Sequence, residues 1–308
     1  MYLNAERIAI ANKAIRDTFE QTSVAWQAIP HWDTGDPAQT KVRADSAYAA
    51  DSDMGPLGEP PVPVQPFTRY FYVSVAQAIS PTPDALLDAV IARTVLLAED
   101  VDGFVISKLA APKNFSTTGT PGGLMNAFID ARASVEDAGY RAPSCLLSDT
   151  GGIKAINMFD AGFPILKPLL DAAEVNSRYR VDKLAESDPA KETKEPEDAK
   201  TPGDAEDPGD AKDGKDAKKP GKAGEPGGGT TPKDEKGRML LLGRRQRIAH
   251  GGAAATAPGE EPVDLAISVP PSLEVIGETK AGYIELAVRI RLAARVTDKY
   301  GIAGVVIR

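Results

Sequence analysis

The chain has 308 residues, a formal net charge of -8 and a single cysteine. Its acidic balance argues against a nucleic-acid-binding protein, because such proteins normally present a basic face. Neither a signal-peptide pattern nor an apolar run near 18 residues is present, so we expect a cytoplasmic protein with no membrane partner. Cys145 lies in an apolar run and cannot form an internal disulfide, which indicates a buried strand residue in a reducing compartment.

Apolar residues recur at spacings of three and four near the start of the chain, which predicts an amphipathic helix. The stripe consists of Ile8, Ala11, Ile15, Phe19, Thr22 and Trp26. Asn4 is a suitable N-cap for this helix, and Pro30 ends the pattern.

Residues 33–66 are rich in Asp, Ala, Gly and Pro. Closely spaced prolines are incompatible with a helix or a central strand, so this segment is expected to be an extended arm or loop with edge-strand character. Residues 67–75 then have the aromatic and β-branched content of a strand.

A second helix is predicted with Thr82 as its N-cap, Pro83 at its first position and Asp84 in its first turn. Its apolar face extends to about Gly103, and residues 112–123 have the composition of a loop. Further helices are expected at residues 124–138, 152–159 and 165–173. Strands are expected at residues 144–148, 175–184, 238–248, 263–269, 283–296 and 304–308, and the fold class is α+β.

Residues 185–237 contain no large apolar side chain. Such a segment cannot offset the conformational entropy of ordering its backbone, about 1–2 kcal/mol per residue. It contains 10 lysines and 15 acidic residues, so it carries more than half of the net negative charge. We expect a disordered insert that lengthens a loop between two strands of one domain.

Few residues suggest chemistry. His31 and His250 are the two histidines, and with one cysteine they cannot form a zinc site of the usual ligand type; each is interpreted as a surface polar residue. Glu99, Asp100 and Asp102 could bind a divalent cation, but a cluster at a helix end is more typical of a solvated or ion-paired face. We therefore predict no catalytic residue, no cofactor and no metal site.

The order of segments resembles the encapsulins, bacterial shell proteins with the tailed-phage major capsid fold. The resemblance is carried by residues 96–104, 128–147, 162–170, 264–269 and 283–290. It implies an N-terminal helix in residues 1–32, an extended arm in 33–66, and a peripheral strand with a spine helix in 67–123. It further implies a central α/β axial subdomain that begins in 124–184, is interrupted by the insert at 185–237 and ends in 238–308 together with return strands.

The resemblance also implies a function. We expect a subunit that assembles with itself into a closed, icosahedral-type nanocompartment around a cargo protein of open identity. One alternative is a phage or prophage major capsid protein that packages DNA, and another is a non-shell cytoplasmic enzyme. The acidic charge favours the first, because a DNA container benefits from a basic interior.

Two local roles follow from the resemblance. The N-terminal helix is expected to line the interior and to help bind a cargo peptide, with Ile8, Ile15 and Phe19 as the candidate residues. The alternative is that these three side chains only pack the core. The insert is expected to project near a pore on a symmetry axis, where its charge would favour cations, or to form a solubilising outer coat.

Overall fold

The computed structural model describes residues 3–44, 60–80, 82–182, 184, 236–250, 253, 256–279 and 281–308. The expectations for the arm at residues 45–59 and for the insert at residues 185–235 therefore lie outside the described residues. Within these ranges the fold is mixed α+β, with one sheet of four strands and one of five.

The helices of the described ranges are α1 Ala5–Thr22, α2 Val24–Ala28, α3 Val75–Ile79, α4 Asp84–Ser107, α5 Pro121–Asp137, α6 Thr150–Ile156 and α7 Leu166–Ala172. The strands are β1 His31–Asp33, β2 Lys41–Val42, β3 Val62–Pro63, β4 Gln65–Ser74, β5 Lys113–Thr117, β6 Ala142–Ser148, β7 Phe159–Asp160, β8 Phe163–Pro164, β9 Val175–Arg180, β10 Gly237–Arg244, β11 Val263–Glu278, β12 Tyr283–Val296 and β13 Ile302–Ile307. None of these helices is both long and apolar enough to cross a membrane.

The first sheet has the strand order β1-β11-β12-β4. Its two long strands, β11 and β12, are antiparallel neighbours, as their alternating apolar and polar residues predict. β4 lies at the edge, which explains why Pro66 is tolerated there without a partner for the missing N–H. Helices α1 and α4 pack on one face of this sheet.

The second sheet has the order β5-β13-β10-β6-β9 and is covered on both faces. Alternate residues of its central strand β10 belong to different cores, because successive side chains of a strand point to opposite faces. Leu240 and Leu242 join the core that contains α1 and α4. Met239 and Leu241 join the core formed with α5, α6 and α7.

The residues that flank the insert lie at the same end of the strands of this second sheet. The Val181 N–H donates to the Ser148 carbonyl at 2.9 Å, and the Lys236 N–H donates to the Ile307 carbonyl at 2.8 Å. β9 and β10 belong to the same sheet but are separated by β6. The expected start of the second flanking strand shifts by one residue, because Gly237 already pairs with Ile307.

Several local expectations were wrong. The helix expected at residues 152–159 spans Thr150–Ile156, and Phe159 belongs to β7. The N-terminal helix does not continue to Pro30, because Ser23 ends α1 and caps α2. The N-cap of α4 is Pro83, not Thr82, and α4 continues past Gly103 to Ser107, since Val105 and Ile106 are buried in the core.

A further correction concerns residues 112–123, which were expected to form a loop. Residues Lys113–Thr117 instead form β5, which pairs in parallel with β13. The helix that follows begins at Pro121, and the Thr120 hydroxyl caps it by accepting a hydrogen bond from the Gly123 N–H.

Candidate functional site at the N-terminal helix

Helix α1 begins as the sequence predicts, because the Asn4 side chain accepts a hydrogen bond from the Arg7 N–H at 2.9 Å. The Arg7 guanidinium donates to the carbonyls of Ala78 and Ser80, which joins α1 to the end of α3. The Asn12 side chain accepts from the Leu273 N–H at 2.8 Å and joins α1 to β11. The helix is therefore fixed at several points along its length.

The candidate cargo residues differ in accessibility. Ile15 and Phe19 are fully buried, with 0% exposure, in the core beneath α1. Ile8 is half-buried at the margin of that core, and Ile10 is 40% exposed. In this conformation Ile15 and Phe19 perform the packing role, which was the alternative interpretation. A role of the helix in cargo binding stays a prediction, and Ile8 and Ile10 are the apolar side chains that α1 presents for it.

The junction between α1 and α2 is closed by Asp102 of the long helix α4. Its carboxylate accepts hydrogen bonds from the Ser23 hydroxyl at 2.6 Å and from the backbone N–H groups of Val24 and Ala25 at 2.8 and 2.9 Å. It thus satisfies donors at the start of α2 that have no partner within the helix. Burial raises the pKa of Asp102 above its usual value, although the three hydrogen bonds act in the opposite direction.

A groove of about 630 Å³ adjoins this junction. Its walls combine apolar side chains such as Val24 and Ile106 with the charged groups of Asp102 and Arg180. Segments distant in the chain form it: the end of α1, the start of α2, α4 and the residues after β9. Because no local pattern joins these segments, the sequence did not reveal the groove. Its mixed lining suits an extended peptide better than a purely apolar ligand.

The acidic cluster on α4 is divided among different contacts. Asp100 forms a two-point ion pair with Arg69 of β4, with two N–O distances of 2.6 Å. Asp102 caps α2, and Glu99 is exposed. The ion-paired interpretation therefore holds for Asp100. In the described ranges, His, Cys, Asp and Glu side chains form no group of three that could hold a metal ion.

The histidine expectation was wrong for His31. Its ring is half-buried and stacks on Trp26 with 4.0 Å between centroids, and burial lowers its pKa. His250 is exposed, as expected, with its ring stacked 5.0 Å from that of Tyr179.

Cys145 is fully buried, and burial raises the pKa of its thiol, which opposes reactivity.

Arginines of β12 hold the base of the arm against the sheet. Arg291 donates to the Pro37 carbonyl at 2.9 Å, and Arg295 donates to the Arg43 carbonyl at 2.8 Å. The Arg295 guanidinium also lies 4.9 Å from the ring centroid of Trp32. The arm thus covers part of the face of β12 that carries Arg291 and Arg295.

No protein-family model and no curated protein matches this chain. Solved structures match it over nearly its whole length. A virus-like particle from Pyrococcus furiosus aligns with a TM-score of 0.57 and 11% identity, over 98% of this chain and 100% of that chain. A phage-related protein from Bordetella bronchiseptica RB50 aligns with a TM-score of 0.58 and 10% identity, over 96% of each chain.

An encapsulin also matches: the SrpI shell of Synechococcus elongatus PCC 7942 aligns with a TM-score of 0.50 and 11% identity, over 92% of this chain and 87% of that chain. Similarity at this level of identity rests on the arrangement of helices and strands. It extends both to encapsulins and to phage proteins. The chain therefore has the mixed α+β fold of HK97-type capsid proteins.

Proposed function

We propose that this chain is the subunit of a closed protein shell that encloses a cargo protein. The observation that carries the proposal is the end-to-end structural match to a virus-like particle protein, which covers 98% of this chain and all of the other. A match that spans nearly the whole of both chains is not limited to a single shared subdomain. The comparison with an encapsulin supports the same function.

The physical features of the subunit support assembly. The first part of its arm lies against β12, where Arg291 and Arg295 donate to the backbone carbonyls of Pro37 and Arg43. An arm anchored at its base can reach a neighbouring subunit while the rest of the fold stays rigid. Obligate interfaces of this kind typically bury about 2,000–5,000 Å².

A DNA-packaging capsid is the second candidate, because a phage-related protein matches equally well. The net charge of -8 favours a protein cargo, since every phosphate of a DNA cargo would add to electrostatic repulsion. We infer that a cargo peptide would contact the exposed side of α1 at Ile10.

Size-exclusion chromatography of the purified protein, with absorbance recorded at 260 and 280 nm, tests both candidates. A cargo shell should elute as one very large species with a protein-like absorbance ratio. A nuclease-resistant excess at 260 nm in that species would instead indicate a DNA container. Mass spectrometry of the same fraction should identify a second protein at a fixed ratio to the shell protein.

A further inference from the structure

The short strand β1 joins the N-terminal helices to the arm and pairs in parallel with β11. The Leu265 N–H donates to the Pro30 carbonyl at 2.8 Å, just before the strand. The Thr34 N–H donates to the Ile267 carbonyl at 2.9 Å, just after it. The arm therefore starts from a strand that β11 holds at both ends.

The first two side chains of β1 face opposite sides of the sheet, because successive residues of a strand alternate. Trp32 packs with Val42 and other apolar residues in the small core under the arm, and Arg295 lies over its ring. His31 points to the other side, where its ring stacks on Trp26 of α2. One short strand thus connects a histidine beside the N-terminal helices to the packing of the arm.

The imidazole of His31 is poorly placed to carry a charge. Its Nδ1 atom is enclosed and has no hydrogen-bond partner among the described residues. Protonation makes both ring nitrogens donors, so Nδ1 would become an enclosed N–H without an acceptor, which is costly. Burial accordingly lowers the pKa of His31, and a backbone contact with Ile29 acts in the opposite direction.

The two elements packed against His31 supply no compensating charge. Helix α2 has no titratable side chain, and β11 contributes Leu265 and Ile267 to the core on this side. Asp264 of β11 faces the other side of the sheet, where Arg295 is its partner.

Other charges in the vicinity are exposed or held by other partners. Asp33 shares the face of His31 but is exposed, as is Glu20 in the last turn of α1. Arg244 donates to the Ala28 carbonyl at the end of α2. Glu261 accepts hydrogen bonds from two backbone N–H groups that follow β10. A protonated His31 would therefore lack an ion-pair partner among the described residues.

We propose that His31 makes the attachment of the arm to the first sheet sensitive to pH. A charged ring is more stable in water than in its enclosed position, so acid should separate β1 from β11 more often and release the base of the arm. The inference concerns the subunit by itself and does not rest on the proposed shell function.

The direction of the effect follows from the lowered pKa of His31. The stability that the neutral ring contributes is fully present above the ordinary histidine pKa of about 6.5. It is lost as the pH falls through the lower pKa of the folded state. The stack with Trp26 opposes this loss, because an aromatic face attracts a cation. The two effects move the titration midpoint in opposite directions from about 6.5, so the midpoint decides between them.

Tryptophan fluorescence measures that midpoint. The chain has two tryptophans, so Trp32→Phe leaves Trp26 as the only one, in contact with His31. A protonated imidazole quenches indole emission, and the emission should therefore fall between about pH 8 and pH 5 with a midpoint below 6.5. Adding His31→Phe should abolish the transition, and adding His250→Phe instead should retain it. A midpoint at or above about 6.5 would overturn the inference.

Hydrogen exchange of the wild-type protein tests the coupling to the arm. The protection factor of the Thr34 amide, corrected for the intrinsic effect of pH, should fall about three- to tenfold from pH 7.5 to 5.5. Tenfold is the limit because a histidine with the ordinary pKa in the open state gains no more than this over that range. Amides of α4 serve as the reference, and His31→Phe should show no such fall.

The remaining outcomes are distinct. An equal loss of Thr34 protection in wild type and His31→Phe would overturn the inference and assign the change to another group, such as the Asp102 carboxyl. A protein that passes both tests but forms no particles would contradict the proposed function and leave this inference standing.

Discussion

Asp264 and Arg295 lie directly opposite each other on β11 and β12 and form a buried ion pair. The Arg295 Nε donates to Asp264 Oδ1 at 2.7 Å, and the side chains of Arg295 and Asp264 are 4% and 0% exposed. Because Arg295 also donates to the Arg43 carbonyl, the pair connects the centre of the first sheet to the base of the arm.

Replacing Arg295 with Met should lower the free energy of unfolding by about 3–5 kcal/mol, because it leaves the Asp264 carboxylate buried and unpaired. The double variant Asp264→Leu/Arg295→Met should recover part of that loss. Urea denaturation followed by circular dichroism measures both. A single variant as stable as the wild type would show that the pair does not have this structural role.

Asp102→Ala should lower the free energy of unfolding by about 1–2 kcal/mol, because three donors at the junction of α1 and α2 lose their acceptor. Asp100→Ala serves as the control. Its ion pair with Arg69 is more than a third exposed on both sides, so solvent screening limits the expected loss to less than about 1 kcal/mol. An equal or larger effect at Asp100 would contradict the importance of the cap.

The Asp102 cap also predicts a pH dependence. Burial raises the pKa of Asp102 in the folded protein above its unfolded value of about 3.9. The Asp102 carboxyl group therefore binds a proton more tightly in the folded state than in the unfolded state. The contribution of Asp102 to stability should then fall as the pH rises from about 4 through its folded pKa, and stay constant above it. The stability difference between wild type and Asp102→Ala, measured from pH 4 to 8, should shrink with pH; a difference that grows would contradict the raised pKa.

The sequence predicted the elements that have strong local patterns and missed β5. The segment Lys113–Thr117 has a single aromatic residue, Phe115, among polar neighbours, which is typical of a loop. It forms a strand because β13, at the other end of the chain, offers it a parallel partner with Ala303 opposite Lys113. When a strand forms because of a partner that is distant in the chain, its own residues show little of the pattern that would predict a strand.

The candidate site was predictable only in part. Helical periodicity identified the stripe of α1, but periodicity shows which side chains share a face and not what covers that face. Ile15 and Phe19 are buried because the stripe faces the core that α4 and β11 share. The groove beside Asp102 depends on a meeting of distant segments and could not be predicted from any one of them.

The accessibility of α1 gives a sharp test of cargo binding. Ile15→Asp places a charge in the core and should prevent stable folding. Ile10→Asp changes an exposed residue and should leave the unfolding temperature within a few degrees of the wild type while lowering the amount of co-purified cargo. Lys13→Gln, which lowers the charge by the same one unit at an exposed position of the same helix, controls for charge alone. Equal cargo loading in all soluble variants would remove α1 from the cargo site.

The insert should be dispensable for folding. Deleting residues 186–235 keeps Lys236, whose N–H bonds to the carbonyl of Ile307 at the end of β13. Long loops add little to fold stability, so the free energy of unfolding should change by less than about 1 kcal/mol. Urea denaturation and light scattering of the shortened protein measure folding and assembly. Failure of the shortened protein to fold would show that the insert contributes to the domain.

Cryo-electron microscopy of the purified full-length protein tests the central claim most directly. The account predicts closed, roughly spherical particles of uniform symmetry, with this chain as the repeating subunit and cargo density inside. A protein that stays a monomer or dimer at every protein and salt concentration examined would contradict it.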